Sequence, residues 1–342
     1  MKITEIQIHQ PVGLLRILTD TDVEGWCLGV SEDTARQIQS TYRDVLIGQD
    51  ALNREYLWQE LVRLDRFRYL PQPVRGYIDV ALWDLAGKAT NLPVYRLIGG
   101  FRDRIPAYKS GGNLPETEAF VQDAVQAKTE GFWGYKDHCY HGVEGMIQVA
   151  QTVRAAVGPE FYLMHDAVQQ YTYTEAIRVG RALETQDYYW FEEPLKDFDL
   201  MGLKKLSDAL DLQIAAAEYL PGTIYSTSQL LANQAVDIVR ASVPWRGGIT
   251  DMIKIARLAE SFGVNCEITS VGAMYGFVHA HVLGAIKNCA FFEGWKVGSQ
   301  GGEPLIKNPL VLQDGYLPVP QGPGLGLDLE WTEIEKHTEH VV

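Results

Sequence analysis

From residue 105 onward the chain repeats one pattern: a short apolar run, a few polar residues, then about a dozen positions with helical spacing of apolar side chains. Eight runs read as strands: IPAYKS (105–110), FWGYKDH (132–138), FYLMHDA (161–167), YYWFEE (188–193), LQIAAAE (212–218), VDIVRAS (236–242), NCEITS (265–270) and NCAFFE (288–293). The stretches between them, such as 116–131 and 248–263, read as amphipathic helices with glycine near their ends. A returning helix after each strand makes successive strands parallel. No GxGxxG follows the first strand, so this alternation favours a closed α/β barrel over an open doubly wound sheet.

The first hundred residues differ. KITEIQIHQP, VGLLRILTDT and VEGWCLGV resemble a small antiparallel meander, and DVALWDLAGKATNLPVYRLIGG reads as a helix that stops at Asn91 and Pro93 before a second short helix and Gly99-Gly100. An α+β domain over 1–104 is therefore expected ahead of a barrel over 105–309. The Gly- and Pro-rich tail, 310–342, is expected to pack back on the N-terminal domain.

Composition narrows the function classes. The chain has 342 residues, enough for a barrel and a smaller partner domain. Its net charge of −14 comes from acids spread along the whole sequence, leaving no basic stripe to follow a phosphate backbone. No apolar run approaches the roughly 18 to 20 residues that span a bilayer, and the start MKITEIQIHQP does not read as a signal peptide. A soluble cytoplasmic protein is expected. Cys27, Cys139, Cys266 and Cys289 are scattered without CxxC spacing and read as reduced thiols.

Barrel active sites are built at the C-terminal ends of the strands. Those ends offer Lys136 and His138, Asp166, Glu192, Glu218, Ser242, Thr269 and Glu293. Asp166, Glu192 and Glu218 follow one another at intervals of 26 residues, the length of one strand plus one returning helix. Three acids converging at one rim suit a hard divalent cation such as Mg²⁺, although single acids there also cap helices. Lys136 and His138 alternate along one strand and share a side, while Asp137 points toward the helices. An imidazole facing a metal and an ammonium is suited to proton transfer near neutral pH. His141 and His165 are weaker candidates, and Tyr219 reads as packing before it reads as an acid.

These residues, with ALWDLAGKATNLPVYRLIGG, WRGGITDMIKIARLAE and GPGLGLDL, make the chain resemble the enolase superfamily, in its mandelate-racemase-like branch. The resemblance implies a modified TIM barrel, (β/α)7β, capped by the N-terminal domain and the C-terminal tail. It implies one Mg²⁺ per chain on Asp166, Glu192 and Glu218, with a Lys or His base and an enediolate intermediate. By position, Lys136 would contact a substrate carboxylate, His138 would be the base, and Glu293 would hydrogen-bond the substrate carboxylate. Relatives usually carry an Asp at the end of strand six and a His at the end of strand seven. Here Ser242 and Thr269 stand there, neither a base without activation, and both become candidates for substrate binding. One face of the substrate keeps its base, which suits removal of an α-proton and its return to a departing hydroxyl.

The expected function is Mg²⁺-dependent dehydration of a hydroxylated carboxylate such as a sugar acid. An epimerase, racemase or cycloisomerase is the alternative, and a catalytically decayed metal-binding barrel is a further one. Relatives form homo-oligomers, so one is expected here. The segment between the first two strands is too short for the long loop that often covers the site in relatives. The site is then open, or 65–76 or a neighbouring subunit covers it.

Overall fold

The computed structural model describes residues 1–269, 272–294 and 303–342. Strands β1 (Ile3–Gln10), β2 (Leu14–Thr19) and β3 (Gly25–Cys27) form the expected antiparallel meander. Apolar residues alternate along β1 from Ile6 onward, burying Ile6 and Ile8, and a register shift between Ile3 and Glu5 lets Ile3 be buried as well while Glu5 faces solvent. Eight parallel strands then build the barrel: β4 (Arg104–Ser110), β5 (Gly134–Asp137), β6 (Tyr162–Asp166), β7 (Trp190–Glu192), β8 (Gln213–Ala216), β9 (Ile238–Ala241), β10 (Asn265–Ile268) and β11 (Phe292–Gly294). A helix follows each of the first seven, giving the (β/α)7β order. The ladder runs from β10 back through β9 to β4 and on to β11, and among the described residues the β10–β11 seam is the one left unladdered. Cys266 N donating to Asn288 O (2.7 Å) and Thr269 Oγ1 donating to Glu293 Oε2 (2.8 Å) tie that seam.

Strands β5 to β9 are shorter than their apolar runs at both ends. At the C-terminal end the reason is backbone geometry: Glu193 (φ 43°) and Ala217 (φ 86°) leave the extended region immediately after β7 and β8, turning the chain across the barrel mouth. Residues 288–291 are not strand; the Asn288 amide instead donates to Ala256 O and Val264 O. Ser270, at the end of the seventh expected strand, lies outside the described residues.

The tail serves both units. Strand β12 (Tyr316–Pro318) pairs antiparallel with β4, and β13 (His340–Val341) adds a fourth strand to the meander beside β1. No helix among the described residues is long and apolar enough to cross a membrane.

One helix, Pro73–Thr90, joins cap to barrel and is buried along most of its length. It ends at Asn91 in the left-handed conformation (φ 55°), followed by Val94–Ile98. Its polar residues lock onto the Arg246–Asp251 turn after β9. Arg75 Nη2 donates to Asp251 Oδ2 (2.8 Å), Asp79 accepts from Thr250 N (2.8 Å), and Trp83 Nε1 donates to Thr250 Oγ1 (2.9 Å). Gly247 and Gly248 make the approach possible. A Cβ on Gly248 would stand 2.4 Å from Asp79 Oδ2, and its backbone (φ 113°, ψ −176°) is a conformation essentially confined to glycine. The WRGGITD motif is thus a docking surface for the cap as well as the start of a barrel helix. Gly248→Ala should lower stability by about 1–3 kcal/mol, read as a drop in Tm; an unchanged Tm would contradict this account of the joint.

Candidate active site

The barrel interior is stacked in layers set by strand alternation. Tyr108, Met164, Trp190, Ala215, Ile238 and Phe291 form a buried apolar plug. Two residues further along the chain from four of these, the side chains change character. Met164 is followed by Asp166, Trp190 by Glu192, Ile238 by Arg240 and Phe291 by Glu293, with Lys136 entering from β5. A charged layer therefore sits directly on the plug. Trp190 Nε1 reaches up to donate to Glu192 Oε2 (3.0 Å).

Two cations lie among the acids. Lys136 Nζ stands 3.0 Å from Glu192 Oε2, 3.1 Å from Glu293 Oε1 and 3.5 Å from Asp166 Oδ2, and is 1% exposed. Arg240 Nε donates to Glu192 Oε1 (2.6 Å), while Nη2 donates to Glu293 Oε2 and to Tyr108 OH (3.3 Å). Glu218 is reached only at longer range, with its Oε2 4.0 Å from Arg240 Nε. Burial opposes the charge on Asp166 and Glu293, but neighbouring cations win. Lys136 and His138 hold Asp166 below the usual carboxylate range, and Lys136 and Arg240 hold Glu293 well below it.

The other acids are under-neutralised. Burial, only partly offset by Arg240 and reinforced by the charge of Glu192, raises Glu218 to about 8. Burial, the charge of Asp197 and that of Glu218 raise Glu193 to about 9. Asp166 and Glu192 both converge on Lys136. Among the described residues no group of three acids, histidines or cysteines is already drawn together tightly enough to hold an ion. The donor set nonetheless fits Mg²⁺. Asp166, Glu192, Glu218 and Glu293 are four carboxyl groups to two strong cations, and the raised pKa of Glu218 marks a place where added positive charge would favour ionisation, on the hard oxygen donors that Mg²⁺ prefers.

His138 sits beside this layer. Its Nδ1 lies 2.5 Å from Gly111 O, and a carbonyl can only accept, so Nδ1 carries a proton. Nε2 is left facing Asp166 Oδ2 at 3.1 Å. Burial disfavours the imidazolium, but the hydrogen bond and charge of Asp166 outweigh it and raise the pKa. Asp137 and His165 pair with each other on the helix side of the sheet (2.7 Å), away from the acids. His141 stands at the start of helix Gly142–Val157 with its ring against Phe120.

The opposite side offers no comparable base among the described residues. Ser242 Oγ is buried without a partner, and Thr269 Oγ1 is committed to Glu293. His279 turns Nε2 toward Val243 N (3.2 Å) as an acceptor, and burial lowers its pKa to about 3. Tyr219 is half-exposed and packs on Trp245, with ring centroids 5.2 Å apart. The β1–β2 connection is only residues 11–13, and from the 65–76 segment Gln72 reaches the turns that follow β8 and β9. Gln72 Nε2 donates to Trp245 O (2.8 Å), and Gln72 Oε1 accepts from Gly222 N (3.1 Å).

Comparison with known proteins decides the family. Residues 2–99 match the mandelate racemase / muconate lactonizing enzyme N-terminal domain, and residues 119–333 match the enolase C-terminal domain-like family. The chain belongs to the mandelate racemase/muconate lactonizing enzyme family of the enolase superfamily. Arabinonate dehydratase of Saccharolobus solfataricus is 30% identical over 323 residues, covering 92% of this chain and 86% of that protein. D-galactarolactone cycloisomerase of Agrobacterium fabrum is 30% identical over 337 residues, covering 92% and 88%. The crystal structure of D-glucarate dehydratase from Agrobacterium tumefaciens complexed with magnesium has a TM-score of 0.92 at 30% identity, over 99% of this chain and 100% of that one.

Inspection of strand ends alone passes over Arg240, Glu193, Asp197 and Arg246. Arg240 was legible as a charge inside the otherwise apolar run VDIVRA, where only a counter-ion could keep it. Arg246 is fully buried, and its Nη2 donates to Thr223 O (2.9 Å) and Thr227 Oγ1 (2.8 Å) while Nη1 donates to Ala217 O. It thereby fixes the turn that presents Glu218. In metal-free protein, NMR titration of His138 should give a midpoint above the usual 6.5. Asp166→Asn should lower that midpoint, because burial then acts with less opposition; an equal midpoint in both proteins would break the assignment. The pairing contributes stability in full below pH about 6.5 and loses it as pH rises through the folded-state pKa.

Proposed function

We propose that the chain is a Mg²⁺-dependent dehydratase of a sugar acid or similar polyhydroxy carboxylate, yielding a 2-keto-3-deoxy acid, in the reducing cytoplasm that its four free, buried cysteines suit. One observation carries the reading: a single imidazole of fixed tautomer beside the acids, with no described base across from it. The named activities of the arabinonate and glucarate dehydratases support it.

Asp166, Glu192 and Glu218 would hold one Mg²⁺ per chain. The ion, when bound, supplies positive charge to the carboxylate oxygens of a substrate as its α-proton leaves. Lys136 adds a fixed ammonium, buried and preoriented, so no solvent need reorganise around the developing enediolate. The Gly111 carbonyl keeps the Nδ1 proton in place, which leaves Nε2 of His138 as the atom that exchanges protons with substrate. Nε2 takes the α-proton, the C–H electrons move into the substrate carboxylate as the enediolate, and they then form the Cα–Cβ double bond as the β-hydroxyl leaves. The same Nε2 returns the proton to that hydroxyl, releasing water, and the enol product tautomerises to the keto acid. The Nδ1–H···O=C bond keeps the ring in place for both steps.

Cycloisomerisation is the second reading, favoured by the 30% identity to D-galactarolactone cycloisomerase. It begins with the same proton removal but expels a ring oxygen, so product and substrate have equal mass. Incubating the protein and Mg²⁺ with aldonic and aldaric acids and their lactones, followed by semicarbazide detection and mass spectrometry, separates the two. Keto acid formed with loss of one water is expected; no keto acid from any compound would refute dehydration. His138→Asn should lower kcat by at least about 100-fold while leaving Mg²⁺ affinity near that of the parent. Unchanged turnover would remove His138 from the mechanism.

A further inference from the structure

Arg240 has no exposed surface, yet its guanidinium bridges Glu192 and Glu293 within the charged layer. On one side Nε meets Glu192 Oε1 at 2.6 Å and lies 4.0 Å from Glu218 Oε2. On the other side Nη2 meets Glu293 Oε2. Both Glu293 oxygens are thereby taken: Oε1 by Lys136 Nζ at 3.1 Å, and Oε2 by Arg240 together with the Thr269 hydroxyl at 2.8 Å. A carboxyl group so surrounded by donors serves as an acceptor and has no proton to offer a second carboxylate. Brought against a substrate carboxylate in that state, it would repel it.

Resting on the Mg²⁺ site proposed above, we infer that Arg240 is a positioning residue whose charge opposes the ion. Glu293 is then its counter-ion rather than a hydrogen-bond donor to the substrate carboxylate. Arg240 holds Glu192 in place while competing electrostatically with the cation that Glu192 and Glu218 would bind. Glu293 cancels most of that competition and steadies Lys136 at the same time. The site thus keeps two fixed positive charges near the substrate without forfeiting the metal. Strand eight supports the chemistry from behind the first layer of contacts.

Opposite shifts in metal affinity test this assignment. Mg²⁺ binding is measured by isothermal titration calorimetry on the full chain and on R240Q, R240K, E293Q and R240Q/E293Q, with circular dichroism as the folding control. Removing a buried positive charge should tighten Mg²⁺ binding in R240Q, and removing its counter-ion should weaken binding in E293Q, each by about tenfold. R240K should return toward the parent value, and the charge-balanced double variant should lie close to it, even where a single variant folds poorly. A merely structural role for Arg240 would weaken binding in R240Q and fail to recover it in the double variant. That result overturns the inference. So does E293Q with parent-like Mg²⁺ affinity and a raised KM for the acid found by the substrate panel, since that pattern marks a donor to substrate. A parent protein that binds no Mg²⁺ refutes the function proposed above, and this inference with it. A parent that binds Mg²⁺ while the variants miss the opposite shifts refutes this inference alone.

Discussion

The charged layer on top of the apolar barrel plug is the constraint to which the rest of the structure answers. Burying Asp166, Glu192 and Glu293 would be prohibitive for isolated ions, and the fold meets that cost with Lys136 and Arg240 placed between them. Each cation serves more than one carboxylate, and the two together leave Glu218 and Glu193 with raised pKa values. The raised pKa values of Glu218 and Glu193 mark where added positive charge would be best accommodated, which is where the proposed Mg²⁺ would sit. The imidazole of His138 is drawn toward the protonated state by Asp166, the acid it must share the site with.

Keeping this layer intact requires rigid support from outside the barrel. The β7 and β8 ends leave the sheet through positive-φ residues, and Arg246 pins the second of these turns through the Ala217 carbonyl. Arg246 itself opens the motif against which helix Pro73–Thr90 packs, by way of Asp79, Arg75 and the two glycines. Cap, motif and the Glu218 turn therefore form one continuous set of buried contacts. A disturbance at the domain joint is expected to be felt at the rim that carries Glu218.

Much of this was legible from residues alone. Strand-helix alternation gave the barrel, the 26-residue interval put three acids at one rim, and the Lys136-x-His138 spacing put two side chains on one side of β5. Asn91, Pro93 and Gly99 marked the cap helices for the reasons those residues ordinarily do. What escaped was whatever depends on pairing across strands. Arg240 looks like an anomaly within its own run, and only the register of β7, β9 and β11 shows that Glu192 and Glu293 flank it. Glu193 and Ala217 were read as strand because composition does not reveal a left-handed turn at a non-glycine residue. The close relation of Asp166 and Glu192 to Lys136 is likewise a three-dimensional fact, since 30 and 56 residues of chain separate the partners.

The central claim is that one divalent ion seats on Asp166, Glu192 and Glu218 beside His138. Anomalous diffraction from a crystal soaked with Mn²⁺ tests it most directly, because that ion accepts the same oxygen donors as Mg²⁺ and can be located independently of the protein atoms. The account predicts one strong anomalous peak within coordination distance of all three carboxylates, with His138 Nε2 facing the open side. A peak centred elsewhere, on Glu193 and Asp197 for example, or no peak at saturating Mn²⁺, would contradict it.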